Sequence, residues 1–156
     1  EVYAAGQFPP NQGMGTTCTV AAIRSGQLYL AHIGDSRAYL LREGDLRQLT
    51  TDHSWVEEAV VSGILTRDAA RSHPDRHVVT RAVGLDPEVV ADKGMLSLMD
   101  GDLLLLCSDG LNSMVTDAGI AGLSLITVPD QVCATLIDAA NESGGHDNVT
   151  VVVAAL

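Results

Sequence analysis

The feature that most constrains the fold is the apolar run Leu103–Cys107, which ends abruptly at Ser108-Asp109-Gly110. Such a run is typical of a strand buried on both faces. The strand could simply leave the core through a turn, with Asp109 capping the next helix. Alternatively, the strand holds a carboxylate at the rim of a sheet, where a cation or a phosphate group could lie, and Gly110 allows close backbone approach. This stretch alone does not decide between the two interpretations.

Two further aspartates stand at the ends of apolar runs. Leu28–Ile33 leads into Gly34-Asp35, and Asp147-Asn148 precedes the β-branched run 149–153. Three carboxylates at three strand ends are what a site assembled from a sheet would need. Hard divalent cations prefer oxygen ligands, and two such ions held close together can clamp a phosphoryl group. The sequence therefore predicts a Mg²⁺ or Mn²⁺ site formed by Asp35, Asp109 and Asp147.

Five motifs together resemble the 2C-type metal-dependent protein phosphatases, the PPM family, in their order and approximate spacing. They are Met14-Gly15-Thr16-Thr17, Gly34-Asp35-Ser36-Arg37, His73-Pro74-Asp75-Arg76 with Thr80-Arg81-Ala82-Val83-Gly84, Ser108-Asp109-Gly110, and Asp147-Asn148. The resemblance extends from about Gly13 to the C-terminus and is greatest to the compact bacterial members that oppose Ser/Thr kinases. It implies an α+β fold, an antiparallel β-sandwich flanked by helices.

The resemblance also implies a mechanism and a set of ligands. In that family, a water molecule bridging two metal ions attacks the phosphorus of phosphoserine or phosphothreonine. Asp109 and Asp147 match ligands of the Mn²⁺ or Mg²⁺ pair, and Asp35 matches a ligand of a third, weaker ion that Asp109 would share. Around them, Gly34, Ser36, Gly110 and Asn148 are expected to support the turns. Ser36 is expected to bond the Asp35 turn, and Arg37 to pair with a nearby carboxylate.

The segment 51–84 changes character, because helical patterns at Trp55–Val61 and after Thr66 interrupt the strands. The resemblance makes this segment a flap beside the active site, in which His73, Arg76 and Arg81 are candidate site residues. Plain packing is the alternative interpretation. The three histidines of the segment could include a general acid, but hydrogen-bonded surface histidines are more common. They are His53, His73 and His77.

One departure from the family pattern limits the prediction of activity. Family members carry an additional segment ahead of the Met-Gly-Thr-Thr strand, which supplies a phosphate-binding arginine and an aspartate that bridges both metals. No match to that segment is present. We therefore expect residues 1–156 to form the C-terminal two-thirds of a single catalytic domain, which is incomplete, contains no catalytic residue of its own and is inactive alone. A piece of a longer phosphatase is favoured over a natural short form, because the chain opens in linker-like sequence without an initiating methionine.

Composition narrows the classes of partner. A formal net charge of −11 argues against nucleic acid and anionic membranes, and no apolar run is long enough to span a bilayer. The three cysteines lie in apolar segments, which predicts buried, reduced thiols in a cytoplasmic protein. The expected partners are phosphorylated proteins, the substrates of Ser/Thr kinases. Two other functions stay open: a catalytically dead phosphatase-like module that binds a phosphoprotein or kinase, and an acidic cation-binding domain without phosphoryl chemistry.

The local patterns also predict individual elements. Four strands between residues 16 and 49 are expected to form an antiparallel meander. Arg37, Arg42 and Arg47 are expected on its solvated faces, and Asp102 in a hairpin turn. Further strands are expected at 89–98 and 149–154, short helices within 111–123, and a longer helix at 130–142.

Overall fold

The computed structural model describes residues 1–125 and 128–156. The strands are β1 (Cys18–Arg24), β2 (Gln27–Ile33), β3 (Arg37–Arg42), β4 (Asp45–Gln48), β5 (Asp92–Ser97), β6 (Leu103–Cys107) and β7 (Val151–Ala155). The helices are α1 (Val2–Ala5), α2 (Trp55–Val61), α3 (Arg67–Arg71), α4 (Asp109–Asn112), α5 (Asp117–Leu123) and α6 (Pro129–Glu142). Strands that pair antiparallel and helices that follow them confirm the α+β class.

The strands form two antiparallel sheets, in the orders β1-β2-β5 and β4-β3-β6-β7. The predicted four-stranded meander is therefore wrong at one point, because β2 and β3 belong to different sheets. The chain changes sheets at Gly34-Asp35-Ser36. Gly34 has a φ of +109°, and a Cβ at this position would overlap the side chain of Thr17, so only glycine fits the crossing. The pattern of apolar residues marked each strand but carried no sign of the change of sheet.

The main core lies between the second sheet and the helices α4, α5 and α6. Tyr39 and Leu105 from the sheet pack with Leu111, Ile120 and Leu136 from the helices, and all five are almost completely buried. The opposite face of the same sheet and one face of the first sheet are also buried, as the inner faces of a β-sandwich are. Their buried residues include Leu28, Leu30, Ala38, Leu40 and Leu104.

The two helices predicted within segment 51–84 are confirmed, and side-chain caps explain where each begins. The Ser54 hydroxyl accepts a hydrogen bond from the backbone N–H of Glu57, which starts α2. The Thr66 hydroxyl does the same for Ala69, which starts α3. These caps satisfy backbone donors that no helical carbonyl can reach.

Two arginines expected on solvated faces are instead paired. Arg37 is largely buried and donates three hydrogen bonds of 2.7–3.0 Å to the Asp52 carboxylate. Arg42 donates to Asp102, which is buried and also accepts from the backbone N–H of Met99. Asp102 therefore anchors its turn to β3. The expectation that Arg37 meets a carboxylate is confirmed.

The prediction of three buried thiols is correct for Cys107 but wrong for Cys18, which is exposed on β1; Cys133 is half-buried. All three are free. Exposed and half-buried residues alternate from Cys18 to Ala21 in β1, and Cys18 lies on the exposed side of this edge strand. Within the described residues, no helix is both long enough and apolar enough to cross a membrane.

Candidate functional site

Asp35 and Asp109 line the same cavity, although 74 positions separate them in the sequence. Asp35 follows β2 at the point where the chain changes sheets, and Asp109 follows β6 as the first residue of α4. Both carboxylates are half-buried. Burial raises the pKa of Asp35, and the negative charge of Asp109 raises it further. The fold thus holds two like charges close together in the lining of a cavity of about 160 Å³.

Asp147 lies at the end of the neighbouring strand. Ser108 joins the two strand ends: its hydroxyl donates to the carbonyl of Asn148 and accepts from the backbone N–H of Thr150, at 3.1 and 3.0 Å. The backbone N–H of Asn148 donates to the Asp147 carboxylate at 2.7 Å, as expected of a residue that supports this turn. Asp147 is exposed and lines a separate depression beside His146. The structure therefore brings Asp35 and Asp109 together and places Asp147 on the adjacent turn.

The two carboxylates are suited to binding a divalent cation. Within residues 1–125 and 128–156, neither Asp35 nor Asp109 has a Lys, Arg or His ion-pair partner. A bound cation would relieve the repulsion between them, and carboxylate oxygens are the ligands that Mg²⁺ and Mn²⁺ prefer. No three His, Cys, Asp or Glu side chains of the described residues converge on one point, so the described ligand set is partial.

Segment 51–84 contributes basic side chains to the lining of the same cavity. They are Arg67, Arg71, Arg76 and His77, and the segment also contributes the acidic residues Asp52 and Glu57. Arg67 forms an ion pair with Glu57 at 3.2 Å. Arg71 and Arg76 have no carboxylate partner in the described part of the chain. The cavity is therefore lined by both carboxylates and guanidinium groups.

The three candidate residues of the segment occupy different places. Arg76 lines the cavity. The ring of His73 lies 4.8 Å from the ring of Trp55. Arg81 lies apart from the cavity and donates to the Asp92 carboxylate at 2.6 Å.

Ser36 supports the crossing differently from what was expected. Its hydroxyl bonds to the hydroxyl of Thr17 at 2.9 Å, and its carbonyl accepts from Thr19 at 3.3 Å, so it ties the crossing to β1. Two of the sequence motifs meet nearby, because Thr16 and Val83 exchange backbone hydrogen bonds of 2.9 Å. The Met-Gly-Thr-Thr motif thus serves the architecture around the site.

Sequence reasoning missed Asp52 next to the site, and it considered His53 only as one of three histidines that could include a general acid. Asp52 lines the cavity and neutralises Arg37, while His53 is buried and bonds to Gly34. The only signal in the sequence was an acid and a histidine directly before a capped helix. Their partners lie 15 and 19 positions away, so no local pattern could identify them.

A family model described as Protein phosphatase 2C matches residues 9–59. The protein phosphatase PhpP of Streptococcus pneumoniae is 40% identical over 157 aligned positions, which cover the whole chain and 64% of PhpP. The solved PPM Ser-Thr phosphatase MsPP from Mycobacterium smegmatis, in complex with cacodylate, superposes with a TM-score of 0.88 at 39% identity, over 99% of this chain and 68% of that one. The chain belongs to the protein phosphatase 2C (PPM) family.

A further PPM structure bears on the cavity. The catalytic domain of the phosphatase PstP, solved in complex with two manganese ions, superposes with a TM-score of 0.88 at 39% identity, over 97% of this chain and 64% of that one. The present PPM chain spans a little less than two thirds of the length of PhpP. The similarity extends over both sheets, so the motifs lie in the setting that the family resemblance implied.

Proposed function

We propose that this chain is part of the catalytic domain of a metal-dependent phosphatase that hydrolyses phosphoserine and phosphothreonine in proteins. The observation that carries the proposal is the approach of Asp35 to Asp109 in a cavity that arginines also line. Cation ligands and anion-binding groups around one cavity suit a phosphate ester. Membership of the PPM family supports the same reaction.

The proposed metal is Mn²⁺ or Mg²⁺. Asp109 and Asp147 would be ligands of the main pair of ions, and Asp35 and Asp109 would be ligands of a third ion that binds more weakly. The two manganese ions in the similar PstP structure support this choice. When bound, such ions activate water and polarise the phosphoryl group. The strand ends that carry Asp109 and Asp147 are joined through Ser108, which would keep both carboxylates at fixed separation.

The remaining roles belong to segment 51–84, proposed as a flap. Arg71 and Arg76 lack carboxylate partners in the described residues and would donate hydrogen bonds to the phosphate or to carbonyls of a bound peptide. Asn112 and Ser113 offer further polar groups on the wall formed by α4. These groups would orient the ester over the two carboxylates and determine which phosphoproteins fit.

We propose that the substrates are proteins phosphorylated by Ser/Thr kinases. The three free thiols agree with a reducing compartment such as the cytoplasm. The chain spans 64% of PhpP, and the described residues supply a partial ligand set, so we expect negligible turnover from this chain alone.

A second function, a phosphatase-like module that binds a phosphoprotein or a kinase without hydrolysis, is favoured by one observation. Among the described residues, no three metal-binding side chains converge. The arginines that line the cavity would still attract a phosphate group in such a module.

The test compares this chain with a chimera that adds the matching N-terminal segment of PhpP. Hydrolysis of an aryl phosphate and of a phosphothreonine peptide is measured with Mn²⁺. We expect activity in the chimera, a loss of at least a hundredfold on Asp109→Asn, and little change on Asp138→Asn, which replaces an exposed acid on α6. Peptide binding without turnover in the chimera would support the module instead.

A further inference from the structure

We propose that His53 is a positioning residue that fixes Asp35 through the peptide of Gly34. His53 makes two hydrogen bonds to Gly34, the residue immediately before Asp35. Its backbone N–H donates to the Gly34 carbonyl at 2.8 Å, and its ring Nδ1 accepts from the Gly34 N–H at 3.0 Å. Both polar groups of Gly34 are therefore held by one residue.

The backbone conformation of Gly34 requires this restraint. Gly34 has a left-handed φ of +109° at the point where the chain leaves the first sheet. Glycine loses more backbone freedom on folding than any other residue, so an unrestrained Gly34 would let the following side chain change direction. With both ends of Gly34 fixed, the direction in which Asp35 leaves the backbone is fixed as well.

The outer side of the imidazole is anchored too. The ring Nε2 faces the Asp92 carboxylate at 3.1 Å and also lies 2.9 Å from a guanidinium nitrogen of Arg81, so Asp92 and Arg81 together flank the outer side of the ring. Arg81 donates to the other oxygen of Asp92 at 2.6 Å. These two donors lower the pKa of Asp92, with the His53 bond as the larger cause, so the carboxylate stays charged and holds the ring. His53 itself is 5% exposed.

The result is a chain of contacts from the surface to the cavity: Asp92 on β5, then His53, then Gly34 and Asp35. The ring of His32 lies 4.8 Å from the ring of His53 and closes the other side. A purely space-filling histidine would not need both the Gly34 N–H and an anchored carboxylate. The inference depends on the proposed function only for the role of Asp35 as a cation ligand.

Two substitutions of His53 distinguish a positioning role from a packing role, because each keeps a hydrogen-bonding group near a different ring nitrogen. His53→Asn places an amide oxygen where Nδ1 lies and keeps the acceptor for Gly34. His53→Gln reaches toward Asp92 but removes that acceptor. Amide hydrogen exchange of Gly34 and Mn²⁺ affinity are measured for this chain by NMR.

We expect His53→Asn to keep Gly34 exchange and Mn²⁺ affinity within about threefold of the parent chain. We expect His53→Gln to speed Gly34 exchange at least tenfold and to weaken Mn²⁺ binding about tenfold, because a buried donor loses its acceptor. Parent-like Gly34 exchange in His53→Gln would overturn the proposal, as would equal effects of the two variants. The Gly34 readout does not depend on catalysis, so a failure of the proposed function would be seen separately as absent turnover.

A second pair of variants keeps the test decisive if a His53 variant does not fold. Asp92→Asn removes the outer anchor at an exposed position, and we expect Gly34 exchange to rise about threefold. Asp75→Asn is the matched control, since Asp75 is an exposed aspartate 3.8 Å from His73, and should leave Gly34 exchange unchanged. Equal exchange in these two variants would overturn the proposal.

Discussion

Gly110 lies so close to Asn148 that a Cβ at position 110 would overlap the Asn148 carbonyl oxygen. This contact brings the start of α4, which carries Asp109, against the turn that carries Asp147. The glycine of the Ser-Asp-Gly motif is therefore required for the approach of two strand ends and not for an unusual φ. The φ of Gly110 lies outside the left-handed region, whereas the φ of Gly34 lies within it.

Gly110→Ala should consequently push the Asp147 turn away from Asp109. Because the obstacle is backbone, we expect a loss of about 1–3 kcal/mol in the free energy of unfolding. Urea unfolding measures it. Gly122→Ala is the control, since nothing lies near a Cβ at that position in α5, and it should gain about 0.5–1 kcal/mol from helix propensity. Equal stability of the two variants would contradict this account of Gly110.

The repulsion between Asp35 and Asp109 predicts the effect of Asp109→Asn without metal. The pKa of Asp35 is raised above its unfolded value, so its ionisation opposes folding at neutral pH, and stability grows as the pH falls through that raised pKa. Removing the neighbouring charge should therefore stabilise the metal-free chain at pH 7. Thermal melting checks this, and destabilisation by Asp109→Asn would contradict it.

Added Mn²⁺ should make the parent chain more stable than Asp109→Asn, the reverse of the order expected without metal. A cation that binds only the folded state adds about 1.4 kcal/mol at ten times its dissociation constant. We expect millimolar Mn²⁺ to raise the melting temperature of the parent chain but not of Asp109→Asn. Asp138→Asn, which removes an exposed charge from α6, should respond like the parent. A similar rise in all three proteins would indicate general screening of the net negative charge.

The burial of His32 predicts how stability depends on pH above the pH range in which carboxylates titrate. Burial lowers the pKa of His32, and the neighbouring His53 lowers it further, while backbone hydrogen bonding to Thr51 and Gly34 and the charge of Asp52 oppose the shift. The unfolded chain then binds the proton more readily, so the free energy of unfolding should fall as the pH drops below about 6.5. Denaturant unfolding between pH 8 and 5.5 measures the slope. His32→Gln should flatten it, while His77→Gln, at an exposed position, should not; a slope that persists in His32→Gln would refute the assignment.

The thiols should differ sharply in reactivity. Burial raises the pKa of Cys107 to about 12, so almost no thiolate forms at neutral pH, whereas Cys18 is exposed. Iodoacetamide should label Cys18 in the folded chain and Cys107 only after unfolding. Peptide mass spectrometry distinguishes the two, and early labelling of Cys107 would show that the β6 core opens readily.

Much of the fold could be predicted because the strands and helices carry local signals. The apolar runs identified β2 and β6, the periodicity of Trp55–Val61 identified α2, and Thr66 marked the start of α3. The change of sheet at Gly34 could not be predicted, because the strand pattern continues through it, and only the contact with Thr17 requires the crossing.

The candidate site divides in the same way. An aspartate at a strand end is a local feature, so Asp35, Asp109 and Asp147 could be proposed from the sequence. Their relative positions depend on pairing between distant segments. So does the role of His53, whose partners Gly34 and Asp92 lie 19 and 39 positions away.

The most direct test of the central claim is a Mn²⁺ titration of this chain followed through its amide NMR signals, because the ion broadens signals of nearby nuclei. We predict that signals around Asp109 and the Asp147 turn broaden first, followed by those around Asp35, and that Asp109→Asn abolishes the early broadening. Early broadening elsewhere on the acidic surface, with residues 35 and 109 unaffected, would contradict a shared cation site.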